Sequence, residues 1–108
     1  MSASSDRNGQ RPKHNATISD HQTWEKEKKY VVYKVMVNSE GRSWFIFRRY
    51  NEFHTLYEKI KKLFPEAQLR LPGKKIFGNL DPSFIQQRRE GLDEFIHKLV
   101  NHPRLSLQ

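Results

Sequence analysis

The chain contains no cysteine. Disulfides, thiol nucleophiles and zinc sites built on thiolates are thereby excluded. Glycine is sparse, and Gly73 and Gly78 do not fit the G-x-x-x-x-G-K-[ST] loop that cradles nucleotide phosphates. The histidines (His14, His21, His54, His97 and His102) show neither H-E-x-x-H nor another metal-ligand spacing, so no metal or other cofactor is expected. His54 and His97 read as polar residues on helix surfaces. Acidic residues number 12 against 20 Lys and Arg. They are scattered among lysines, and no pair is set apart as acid and base, so the chain is not expected to be an enzyme. No apolar run approaches the ~20 residues of a spanning helix, and no signal-peptide core opens the chain. The expectation is a soluble, cytoplasmic protein whose membrane contact is peripheral. Asn15-Ala16-Thr17 fits the glycosylation sequon, but without a secretory signal it reads as a chance match.

What is present is positive charge. The formal net charge is +8 and the sequence pI about 9.9, which favours anionic partners without choosing among nucleic acid, acidic protein and anionic membrane. At 108 residues there is room for one domain. A chain this short buries only about 60–65% of its unfolded surface, so every element must contribute to the core. Residues 1–22 offer one isoleucine, two alanines and the initial methionine as apolar material. That is too little to offset ordering entropy, so residues 1–16 are expected to form a disordered arm, 17–104 the folded unit and 105–108 a tail.

In Tyr30–Val37, YVVYKVMV, Val31, Tyr33, Val35 and Val37 share one face by period two, with Lys34 and Asn38 on the other. Asn38-Ser39-Glu40-Gly41 is turn chemistry, with Gly41 free to take positive φ. Ser43–Tyr50, SWFIFRRY, is the expected partner strand of a hairpin. A weaker strand over residues 16–24 would complete a three-stranded antiparallel sheet. Phe53, Leu56, Tyr57, Ile60, Leu63 and Phe64 then follow helical spacing, with Glu58, Lys59, Lys61 and Lys62 outward and Pro65 ending the run. Residues 65–82 form a long connection, and long ordered loops in small domains are more often functional than connections as short as geometry permits. A last helix is expected over residues 82–100. The order βββαα gives an α+β fold: a small sheet packed against helices.

Three features depart from plain packing. Arg48 and Arg49 end the second predicted strand on opposite faces, so one can enter a cleft while the other meets solvent; two solvated charges are the simpler alternative. Arg88 interrupts the apolar stripe of the last helix, four residues from both Phe84 and Leu92. It must reach an anion or another polar partner, or else snorkel to the helix edge. Its neighbour Arg89 is expected to face solvent. Finally, Lys74-Lys75 stands directly before Ile76-Phe77, in a loop framed by Pro72, Gly73 and Gly78. Charge beside apolar tips suits a membrane surface; a loop folded back on the domain is the alternative.

Three blocks, Phe47-Arg48-Arg49-Tyr50-Asn51-Glu52-Phe53, Leu71-Pro72-Gly73-Lys74, and Arg88 with Leu92 after it, resemble the phox-homology (PX) domain in order and spacing. Within that family the likeness is to PX domains of serum- and glucocorticoid-regulated kinases. The resemblance implies a phosphatidylinositol 3-phosphate site on early endosomal membranes. In it Arg49 grips the 3-phosphate, Tyr50 lies against the inositol, Lys74 meets the 1-phosphate and Arg88 the 4- and 5-hydroxyls. Ile76 and Phe77 would insert into the bilayer. Many family members carry a P-x-x-P segment before the lysine; Leu69 stands where the first proline would be, so the resemblance does not extend to an SH3 partner. Family members also usually continue past the position of Gln108 into one more short helix. The competing readings are a basic nucleic-acid-binding protein, with SWFIFRRY as a stacking platform, and a protein-interaction module. Strand alternation hides about half of those aromatics and no RNP1 pattern is present, so nucleic acid is not the expected partner.

Overall fold

The computed structural model describes residues 14–74 and 80–102. Three antiparallel strands in the order β1-β2-β3 form one sheet: β1 His14–Glu25, β2 Lys29–Ser39 and β3 Arg42–Arg48. Two helices follow, α1 Tyr50–Leu63 and α2 Pro82–Asn101. The first strand begins at His14, two residues before the expected start, because its backbone keeps pairing β2 as far as Ser39.

The β2–β3 hairpin turns through Glu40 and Gly41, at φ 50° and 84°. Two consecutive positive φ values match the right-handed twist of the flanking strands, and glycine supplies the second without steric cost. Register then places Ile18, Val35 and Ile46 side by side facing the helices. Tyr33 and Ile18 are essentially sealed from solvent, as are Leu92 and Phe95 of α2. Alternation alone assigns Val32 to the opposite face, yet it is buried as well. Trp24 of β1 and Phe47 of β3 bring their rings 5.2 Å apart across β2, and the register sets Val32 beneath them.

The connection after β3 is short because Arg49 serves directly as the N-cap of α1, with extended backbone, while its N–H donates to Glu52 Oε1 at 2.9 Å. Phe53 and Ile60 are the buried anchors of α1. The periodicity marked a wider stripe than the fold covers: Leu56 is exposed and Leu63 is 65% exposed, since the narrow sheet and a single facing helix leave that side in water. Asp81 caps α2, accepting from the Phe84 N–H, and Pro82 occupies the first turn, where a missing N–H costs nothing. Tyr57 meets Phe95 edge-on at 6.1 Å and joins the two helices.

A register irregularity lies between Ile18 and Asp20 of β1. There Asp93 Oδ1 accepts from the Ile18 N–H at 2.7 Å and from Thr17 Oγ1 at 2.9 Å, while Arg89 donates to the Ile18 carbonyl. This corrects the expectation for Arg89: it faces the sheet edge rather than solvent, and with Asp93 it ties α2 to β1. The hydrophobic core continues into residues 65–74, where Ala67, Leu69 and Leu71 pack against it.

Candidate functional site

Antiparallel pairing sets the start of β2 beside the end of β3, and α1 begins where β3 stops. The segment before Lys74 crosses the opposite wall. Between them lies a cleft of about 580 Å³. Arg49, Tyr50, Lys74 and Arg88 all line it, so the structure brings four sequence-designated residues to one place. Ile76 and Phe77 fall outside the described residues.

Arg88 is the best-defined member. It is 7% exposed, with its guanidinium 3.7 Å from the Tyr50 ring centre and 4.5 Å from that of Phe84. Its Nη2 donates to the Gly73 carbonyl at 3.1 Å. Its Nε is buried without a hydrogen-bond partner among the described residues. An unpaired donor on a buried cation is costly, so the site holds positive charge in a state that an anion or hydroxyl acceptor would relieve. Burial pulls the Arg88 pKa down, against the influence of Tyr33 and Tyr50. Burial in turn raises the phenol pKa values of Tyr33 and Tyr50, with the Arg88 charge opposing it.

Arg49 is exposed, and its guanidinium lies 4.4 Å from the centre of the Tyr30 ring. Stacking holds a long side chain at the rim without neutralising it. Arg48 turns the other way: it donates to its own strand at the Phe47 carbonyl and stands 3.7 Å from Glu52. The two adjacent arginines therefore occupy different environments. Tyr50 does more than present a ring. It is buried, and its hydroxyl donates to the Pro72 carbonyl, tying α1 to the segment that carries Lys74.

Three contributors escaped sequence reading. Lys28 and Lys29 line the cleft, raising its cations to five with no carboxylate among the lining residues. A charge run at a hairpin end reads as solvated surface; only the strand order, which brings the start of β2 to the end of β3, would have placed it. Tyr33, assigned to the core, also reaches the cleft. Gly91 is the third. A Cβ there would stand 2.5 Å from Pro72 Cγ, so the absence of a side chain is what lets residues 71–74 lie against α2. A glycine inside a helix with no turn to make is the available signal.

What the arrangement can do chemically is bind anions, with cations at the rim and floor and aromatic rings between them. Among the described residues there is no cluster of metal-ligating side chains, and no helix is long and apolar enough to cross a membrane.

Comparison with known proteins shows the family and the fold. The family model "PX domain" matches residues 36–108. Serine/threonine-protein kinase Sgk3 of Rattus norvegicus is 55% identical over 82 residues, which cover 75% of this chain and 16% of the kinase. Sorting nexin-16 of Homo sapiens is 39% identical over 88 residues, covering 80% of this chain and 26% of the nexin. The chain thus spans less than a third of the length of these two relatives. Among solved structures, a designed CISK-PX domain superposes with a TM-score of 0.81 at 32% identity, covering 87% of this chain and 91% of that one. The mouse SNX19 PX domain, solved with a bound sulphate ion, matches in fold with a TM-score of 0.67 at 19% identity over 87% of each chain.

Proposed function

The chain belongs to the PX family of phosphoinositide-binding, non-catalytic modules, and from that premise we propose that its cleft holds the head group of phosphatidylinositol 3-phosphate at an endosomal membrane surface. The observation that carries this is the Arg88 guanidinium, buried on α2 with an unpartnered Nε and set in a cleft lined by cations and no carboxylate.

Arg49 reaches the 3-phosphate from the rim, where a planar guanidinium can pair two phosphate oxygens at once. Tyr50 has Arg88 against its ring and presents the rest of the ring to the inositol. Lys74 meets the 1-phosphate, and Arg88 donates to the 4- and 5-hydroxyls. Lys28 and Lys29 add attraction for the anionic lipids around the bound head group. Ile76 and Phe77 are assigned the apolar part of the contact on their sequence alone.

The test is co-sedimentation with phosphatidylcholine vesicles, each doped with one phosphoinositide, with single-stranded RNA as competitor. Preferential binding to the 3-phosphate vesicles, undiminished by RNA, is the expected result. Equal binding to every anionic vesicle would reduce the cleft to general charge attraction and sink the assignment.

A further inference from the structure

Among the described residues, the strand order leaves β3 paired on one side only. Natural sheets blunt such an edge with charge, bulges or a covering segment, because its backbone groups invite another strand. Here part of the edge is already closed: Arg48 Nη1 donates to the Phe47 carbonyl at 2.9 Å. The stretch from Arg42 to Ile46 has no such protection among the described residues. It carries instead two large aromatic residues in succession, Trp44 44% exposed and Phe45 51% exposed.

Consecutive strand residues point to opposite faces of a sheet. Trp44 pairs with Val37 and stands on the helix-facing side; Phe45 pairs with Met36 on the outer side. Lys34 Nζ lies 4.4 Å from the Phe45 ring centre, and Phe47 meets that ring edge-on at 5.7 Å. A partner laid over one face would cover one ring and leave the other in water. A strand added edge-on places side chains beside both. The paired exposure on opposite faces therefore selects strand addition over face-to-face docking.

Charge selects what adds. β3 begins and ends with Arg42 and Arg48 and contains no carboxylate, Lys34 sits over its outer face, and Arg48, though 3.7 Å from Glu52, remains half exposed. A second copy pairing antiparallel through the same edge would set Arg42 of one chain toward Arg48 of the other at both ends, with like charges opposed. We propose that the free edge of β3 is a docking site for an extended, acidic segment of a partner protein, which adds as a fourth strand and seats apolar side chains beside Trp44 and Phe45. This surface is separate from the cleft and does not depend on the lipid reading.

The probe is a synthetic peptide of alternating threonine and valine with a central phenylalanine and aspartates at both ends. It is compared with a lysine-ended version and with one carrying a central proline. Fluorescence titration should show binding of the aspartate-ended peptide alone, with new amide-exchange protection confined to residues 42–46. Trp44→Lys and Phe45→Lys should each weaken it about tenfold or more while the melting transition stays cooperative. Should either lysine prevent folding, Phe45→Thr takes its place with the same expectation, threonine being at home in an exposed strand. Equal binding of the lysine-ended peptide, or protection elsewhere, overturns the proposal. So does self-association of the parent chain abolished by Phe45→Lys, which would make the occupant a second copy. Loss of vesicle binding in both variants without any peptide binding would assign the patch to the membrane, and the proposal would fail.

Discussion

Adjacent arginines here do different things, and the difference is geometric. Arg49 is stacked at the rim of a cleft, whereas Arg48 is turned back on its own strand and toward Glu52. Arg49→Ala should remove most affinity for 3-phosphoinositide vesicles, since charge-assisted hydrogen bonds contribute about 1.5–3 kcal/mol each. Arg48→Ala should leave it nearly unchanged. Vesicle titration of both variants checks the pair, and a reversed order would exchange their roles. The second pair, on α2, separates function from stability. Arg88→Met keeps much of the packing against Tyr50 and Phe84 and removes a buried cation with an unpaired donor. Replacing a buried charge by an apolar group of similar volume is often neutral or stabilising. The melting temperature should therefore hold or rise while head-group affinity falls about tenfold or more. Arg89→Ala should do the opposite. It loses the bond to the Ile18 carbonyl and about 1.5–3 kcal/mol of stability, with affinity retained. Equal effects of both on binding would mean that general surface charge drives association.

At the scale of elements, the strands, the turn and both helices were legible because each is written locally: period two in β2, positive-φ chemistry at Gly41, helical spacing from Phe53, and the apolar stripe of the last helix. The candidate site was legible wherever a residue contradicted its own local pattern, as Arg88 does on an apolar stripe. What could not be read joins distant segments. Arg89 and Ile18 are 71 positions apart, and Asp93 and Ile18 are 75 apart, so nothing local distinguishes them from solvated charges. Likewise Lys28 and Lys29 gain meaning only when strand order brings them to Arg49. Gly91 is the most consequential of these couplings. Gly91→Ala favours the helix by about 1 kcal/mol of intrinsic propensity. The new methyl would nonetheless enter the Pro72 ring, which cannot swing aside as a flexible chain would. Residues 71–74 must lift, stretching the Tyr50–Pro72 and Arg88–Gly73 bonds and moving Lys74 away from the cleft. The expected outcome is a melting temperature changed by little and a clear loss of head-group affinity. If affinity matched the parent, the close approach of Pro72 to α2 would have no part in positioning the site.

For the whole molecule, a net charge of +8 and the proposed head-group cleft would pull toward the same surface by different physics, and salt separates them. Each lysine near an anionic bilayer adds about 1 kcal/mol, screened over roughly 8–10 Å at physiological ionic strength. Apolar side chains in the interface are not screened: an isoleucine and a phenylalanine together offer about 2–4 kcal/mol at ~25 cal/mol per Å². Phe77→Ala should therefore weaken binding to 3-phosphate vesicles at low and high salt alike, and leave binding to a soluble short-chain analogue nearly intact. Lys74→Ala should weaken both, because its assigned contact is the lipid phosphate itself. The measurement is a pair of affinities, vesicle and soluble, for each variant at two salt concentrations. A lowered melting temperature in Phe77→Ala, with equal loss in both assays, would make Phe77 part of the core and leave the apolar contact to Ile76. If Phe77→Ala bound vesicles like the parent while added salt released both proteins, attachment would be electrostatic, with head-group selectivity left to Arg49 and Arg88.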